Sequence, residues 1–280
     1  MFKNLNSSSI GISGHQSEII ELTLTYGFAG LDVNIVEFAA AAHAKGMSYA
    51  KRYLASSKLE IGSFVLPITW DAEDGVFQQE LKKLPEFTQC AAELGCTRAT
   101  SILSPAGDTR PYHENFELHR RRIGEVCAVL NESGIRLAVG FRAAERYRRD
   151  RAFQFIHDLD ALVMLLGMAA ASNLGLLLDT WEVVAAGGSA ESLRKLASDQ
   201  IVAVQVAEMP SDVATADLDD KFRLLPGVEN GRVDVAAFVS LLKEVGYQGP
   251  VTVKASRDAF ANHNRESVVK QTAEALGKVW

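Results

Sequence analysis

Short β-branched and aliphatic runs alternate with longer amphipathic segments along the whole chain. The apolar runs predict strands at residues 8–12, 30–35, 59–66, 96–103, 135–141, 174–179, 201–206 and 250–254. Between them, helical periodicity covers about 15–26, 36–56, 74–94, 115–132, 159–171, on to about 197, then 234–245 and 265–278. Pro85 is expected to kink or interrupt the helix that contains it, because proline lacks the N–H and clashes with the preceding turn. Gly134 sits where a helix C-terminal glycine belongs, and Asp234 where an N-cap belongs. Strands four to eight read as nearly unbroken apolar runs, as parallel strands buried on both faces should.

Eight strand-then-helix units with no evident linker predict an α/β protein, a single (β/α)8 TIM barrel over residues 1–280. A doubly wound open sheet is the alternative. Its usual glycine-rich first turn would fall on Gly11-Ile12-Ser13-Gly14-His15, which lacks the third glycine. In a barrel, chemistry sits at the C-terminal strand ends. Those ends are expected near Ser13, Asn34, Pro67 to Trp70, Ser101, Gly140 to Arg142, Asp179 to Glu182, Gln205 to Glu208 and Lys254 to Arg257.

Composition narrows the picture. The chain has 280 residues, 48% of them hydrophobic and 23% charged, with a formal net charge of −6. That excludes a disordered chain and argues against a nucleic-acid binder, which carries a basic excess. Cys90, Cys96 and Cys127 are an odd, sparse set, read as free thiols in a reducing cytoplasm. The start of the chain, Met1-Phe2-Lys3-Asn4-Leu5-Asn6-Ser7, has no apolar signal-peptide core, and the longest apolar stretch is too short to span a bilayer. A cytoplasmic protein with no membrane partner is expected.

One group of residues is more specific. Leu225-Pro226-Gly227, then Gly231, Asp234, Phe238, Leu242, Gly246-Tyr247 and Gly249-Pro250-Val251 resemble the last unit of the xylose-isomerase-like sugar isomerase/epimerase barrels. Gly134 to Ala138, Leu174 to Asp179 and Gln200 to Val204 resemble the same family, and the pattern runs from about residue 8 to 275. The resemblance implies one divalent metal (Mn, Mg, Co or Zn) held by Glu, Asp, His and Glu at the ends of strands five to eight. The metal would polarise a ketose while two carboxylates move a proton at the neighbouring carbon. Carried over by position, the first Glu falls on Gly140 and the Asp on Asp179. A His often found three residues later falls on Glu182. The strand-seven His falls on Gln205, an acidic residue three further on falls on Glu208, and the last Glu falls on Lys254. Only Asp179 is kept. A lysine about 4 Å from a divalent cation repels it by ~2–8 kcal/mol. The expectation is therefore no metal and no cofactor, with a Lys254–Asp179 ion pair in its place.

The remaining candidates are weaker. None of the histidines (His15, His43, His113, His119, His157 and His263) forms an i,i+4 pair for zinc. No Walker A sequence and no GxSxG elbow occurs. Gly187-Gly188-Ser189 reads as a plain loop. The basic run Arg142, Arg146, Arg148, Arg149 and Arg151 is either an anion clamp or a solvated or subunit-contacting loop. The expected function is an isomerase/epimerase-like protein binding a keto-sugar, polyol or sugar acid. Asp179 and Lys254 are its candidate acid and base, and Trp70, Arg142, Trp181, Glu182, Gln205, Glu208 and Arg223 its candidate ligand contacts. The alternatives are an inactive paralogue that binds a ligand, and a partner-binding protein whose mouth is plugged by Trp70, Trp181 or the 142–151 loop. A DNA-repair nuclease on the same barrel would need metal-binding His and acidic residues that are absent. A homo-oligomer is compatible with the sequence.

Overall fold

The computed structural model describes all residues, 1–280. Eight parallel strands close into a barrel in chain order: β1 (Phe2–Leu5), β2 (Gly30–Val33), β3 (Glu60–Val65), β4 (Arg98–Ile102), β5 (Arg136–Gly140), β6 (Leu174–Asp179), β7 (Ile201–Val206) and β8 (Pro250–Val253). Closure is made where Phe2, Lys3 and Asn4 pair with Pro250, Val251 and Thr252. The outer helices are α1 (Gln16–Thr25), α2 (Ile35–Lys45), α3 (Met47–Ser57), α4 (Asp74–Glu93), α5 (Tyr112–Glu132), α6 (Leu159–Ala169), α7 (Thr180–Ala185), α8 (Val235–Glu244) and α9 (Arg265–Val279). No helix is long and apolar enough to cross a membrane.

Side chains just past the strand ends start many of these helices. Asn34, Asp158, Asp179, Asp234 and Asn264 each accept a hydrogen bond from a backbone N–H of the first helical turn. Each satisfies a donor that the helix itself leaves unpaired. The predicted helix over 36–56 is two helices, because Gly46 sits at φ 84°, in the region that favours glycine, and breaks it. The helix around Pro85 is not interrupted. Phe77, Leu84, Thr88 and Ala91 on both sides of the proline are buried, and that packing holds the two halves together.

The expected first strand at 8–12 is a misplacement. Ser8–Ile10 is a 3-10 turn closed by Gly11 in a left-handed conformation, and the strand lies earlier, at Phe2–Leu5. Its mixed sequence, Phe-Lys-Asn-Leu, hid it, because the barrel interior here is polar. Asn4 donates to Asp32 and to Thr252, and Ser63 donates to Asp32. These four side chains therefore face inward. Strand alternation then puts Val65 and Lys254, two residues further on, above them at the mouth. The opposite side of the interior is apolar, filled by Ala138, Leu177, Val202 and Ala203. The larger core lies between strands and helices.

Candidate functional site

Asp179 ends β6 and begins α7, and its Oδ1 accepts from the Trp181 N–H at 3.1 Å. This fixes the carboxylate at the mouth. Arg223, only 2% exposed, reaches it from the loop after β7. Its Nη1 donates to Asp179 at 3.0 Å, its Nη2 to Glu182 at 2.6 Å, and its Nε to Asp220 at 2.8 Å. Glu182 also accepts from the Ala143 N–H at 2.7 Å, and the guanidinium lies 4.5 Å from the centre of the Trp181 ring. Lys254 approaches Asp179 Oδ2 from β8 at 3.4 Å, with its side chain 19% exposed. The ion pair expected between Asp179 and Lys254 is present, and Arg223 is a second cation on the same carboxylate.

Asp220 extends the cluster outward. Its Oδ2 accepts from Arg142 at 3.1 Å and from the Tyr147 hydroxyl at 2.9 Å, and that hydroxyl accepts from the Asp220 N–H at 3.1 Å. Arg146 pairs with Asp219, and Arg149 donates to the Ala216 carbonyl at 3.1 Å. Arg151 pairs with Asp108 at 3.1 Å, and Arg148 donates to Gln154 at 2.8 Å. The basic loop thus fastens the segments around it, above all the 215–223 loop, and its arginines are engaged within the protein. Beside these partners, Arg146, Arg149 and Arg151 keep 48–60% of their side-chain surface exposed.

The electrostatics follow from burial and partners. Burial alone would raise Asp179, but the charges of Arg223 and Lys254 outweigh it and hold the carboxyl below the ordinary carboxylate range. Glu182 is raised by burial, which Arg223 only partly offsets. Asp220 would be raised by its burial, yet Arg223 and then Arg142 bring it down to about 2. Lys254 is lowered, first by burial and then by the charge of Arg223. Arg223 is raised despite its burial, because Asp179 and Glu182 hold the charged form.

The other predicted contacts divide. Gln205 lies beside Asp179 in the β6–β7 register, and its Oε1 is buried with no partner in the protein. Gly140 offers no side-chain donor, and a Cβ added there would lie 3.3 Å from Leu177, a tight contact. Trp70 is 5% exposed and donates its Nε1 to Ser101 at 2.7 Å, while Trp181 is fully buried beneath Arg223. Neither offers a sugar a free ring face, contrary to expectation. Glu208 is buried against Gly231, and its Oε1 accepts from the Met209 and Val233 N–H groups at 2.8 and 2.5 Å, bracing the loop after β7.

Residues that sequence reasoning missed are Asp220 and Tyr147, together with Asp32, Asn4 and Asn6 at the other side of the mouth. The acid pair Asp219-Asp220 three residues before Arg223 was the available signal for the first group. For the second, it was a polar residue within each of two buried strands. Asp32 lines two adjoining cavities on this face, of about 470 and 340 Å³. The smaller is lined by Asn6, Ser7, Asp32, Asn34, Val36 and Val65, among others, and neither includes Asp179, Lys254 or Arg223.

Comparison with known proteins agrees with this architecture. A 3-dehydroshikimate dehydratase of Pseudomonas putida is 26% identical over 125 residues, covering 44% of this chain and 18% of its own length. An inosose isomerase of Bacillus velezensis is 27% identical over 143 residues, covering 49% of this chain and 50% of its own. The matched stretches therefore span half or less of these curated relatives. Among solved structures, a xylose isomerase domain protein from Alicyclobacillus acidocaldarius superposes with a TM-score of 0.88 at 25% identity, covering 99% of this chain and 97% of its own. The IolI protein, solved with a bound zinc atom, shares the fold at a TM-score of 0.84 and 16% identity, over 100% of this chain and 98% of its own. The family model for the xylose isomerase-like TIM barrel matches residues 20–279, and the chain belongs to that family.

Proposed function

We propose that this chain binds a small keto-sugar, polyol or sugar acid at the barrel mouth, and that it does so without the divalent cation implied by the family resemblance. One observation carries the reading. Three carboxylates, Asp179, Glu182 and Asp220, are matched by three cations, Arg223, Lys254 and Arg142, in one connected cluster. A divalent cation needs open oxygen or imidazole donors. Asp179 has both oxygens engaged, Gly140 has no donor, and Lys254 brings positive charge. No three His, Cys, Asp or Glu side chains converge in a metal-binding group. In this reading the residues do not fit the metal, and Arg223 is the fixed cation that neutralises the carboxylates left behind.

Lys254 is then the charge that meets the ligand. Arg223 is sealed off by its three carboxylate partners, whereas Lys254 has one long contact and is partly exposed. Protonated, its ammonium donates to a carbonyl or carboxylate oxygen. Neutral, its amine accepts a proton from the carbon beside a carbonyl, and the lowering of its pKa brings that form nearer to neutral pH. Asp179 stays ionised and holds the ammonium in place. The relatives support the ligand class, being named for inosose and 3-dehydroshikimate, and one neighbour of the same fold is a D-psicose 3-epimerase solved in the presence of D-fructose.

A second reading is a ligand-binding protein without turnover. It is favoured by the saturation of Asp179, which leaves no second free base beside Lys254. Proton exchange separates the two. Incubation with D-fructose or an inosose in deuterated buffer containing EDTA should give exchange of the hydrogen next to the carbonyl, read by NMR, and Lys254→Met should abolish it. Binding without exchange supports the second reading. Binding of neither probe, or exchange that EDTA stops, contradicts the proposal.

A further inference from the structure

The polar interior on the β1–β3 side is more than filler. The Asp32 carboxylate accepts from Asn4 at 2.8 Å and Ser63 at 3.0 Å on Oδ1, and from Asn6 at 2.8 Å on Oδ2. The Ser63 backbone N–H is a further donor to the same carboxylate, and Asp32 nevertheless forms part of the wall of both cavities on this face. Burial raises Asp32, with the hydrogen bonds from Asn4, Asn6 and Ser63 opposing it.

The surrounding chain is shaped to hold this group. A Cβ on Gly62 would come 2.3 Å from Asn4 Oδ1 and 2.6 Å from Asp32 Oδ1, and a Cβ on Gly30 would come 2.8 Å from Asn4 Oδ1. Gly62 thus leaves room for a buried amide and a half-buried carboxylate, and Gly30 for that amide and the Phe2 ring, where a barrel would ordinarily pack apolar side chains. The Asn4 Oδ1 atom is buried with no partner, so the network is not fully satisfied by the protein itself.

Above it lies the cavity of about 340 Å³. One wall is polar, made by Asn6, Ser7, Asp32 and Asn34. Another is apolar, where Val65 is 66% exposed and Val36 is 48% exposed. An exposed valine on a barrel strand, facing a carboxylate across a cavity, suits a ring with hydroxyls on its edge and C–H groups on its face.

We infer that Asp32 is a ligand-binding residue, its carboxylate at the cavity wall accepting from a hydroxyl of a small polyol or keto-sugar whose C–H face rests on Val65. The inference rests on the reading of the mouth as a carbohydrate site, and it moves hydroxyl recognition to β1–β3, away from Lys254 and Asp179. A charge-assisted hydrogen bond of this kind controls affinity by about tenfold or more.

The test is calorimetric titration of the intact protein with D-fructose and with an inosose. Asp32→Asn, which keeps the shape but not the charge, should weaken binding at least about tenfold. Val65→Phe, at an exposed rim position that the fold does not need, should weaken binding similarly by filling the cavity, and it decides the matter should Asp32→Asn fail to fold. Lys254→Met separates this inference from the function it rests on. Wild-type affinity in Asp32→Asn or Val65→Phe, with affinity lost in Lys254→Met, overturns the role of Asp32 and leaves the carbohydrate site standing. No binding of either probe to the wild type overturns both.

Discussion

Arg223 holds the mouth together, because it is the permanent charge on which Asp179, Glu182 and Asp220 converge. Guanidinium suits the place. It stays protonated in any environment, and its planar fork reaches several carboxylates at once. A buried pair of this kind contributes little compared with an apolar core, but removing one partner strands the others. Arg223→Met should therefore lower the stability by about 3–5 kcal/mol in urea unfolding, because Asp179 and Glu182 lose their main counter-charge. A loss below about 1 kcal/mol, the scale of an exposed pair, would show that the cluster is solvated and not the closed network described. At this scale the sequence was readable in part. Aligning strand ends brought Asp179 and Lys254 together. Their link to Asp220 and Tyr147 crosses from one loop to another, at sequence separations that no periodicity encodes.

Among elements, the 142–151 and 215–223 loops behave as one fastened unit through Asp219 and Asp220. Asp220 is held at about 2, against 3.8 for the free group. A carboxyl held below its free value stabilises only while ionised. Its contribution is complete above about pH 4 and is lost as the pH falls toward 2. Amide protection factors in residues 145–151 and 215–222, referred to the intrinsic exchange rate at each pH, should therefore fall together between pH 4 and pH 2.5, ahead of the barrel strands. Asp220→Asn should show the lowered protection already at pH 6. Separate responses of the two loops would break this account. The regular elements were legible because each carries its own signal: apolar runs for β4 to β8, helical periodicity for α9, and the capping Asp234 ahead of α8. β1 was not, since its inward residue is Asn4, and hydrophobic patterning cannot register a strand whose buried face is polar.

For the whole molecule, the net charge of −6 conceals a division of the mouth. One side, on β5 to β8, is a neutral cluster of three acids and three bases. The other, on β1 to β3, is an open cavity with one half-buried carboxylate. The barrel keeps the architecture of its family; in the proposed reading, the positions that would hold the metal implied by the family resemblance fall on Gly140, Gln205 and Lys254, beside Asp179. Fold and site are written at different scales: eight repeats of one pattern specify the barrel, whereas the proposed chemistry rests on single residues at strand ends.

The central claim is that Arg223 and Lys254 stand where a divalent cation would otherwise neutralise these carboxylates. Its most direct test is the metal content of the native protein, purified without chelator from medium supplied with Mn, Mg, Co and Zn, and measured by elemental mass spectrometry. The account predicts well under one ion per chain for every metal. Stoichiometric Mn, Mg, Co or Zn, retained in the wild type and lost in Asp179→Asn, would contradict it.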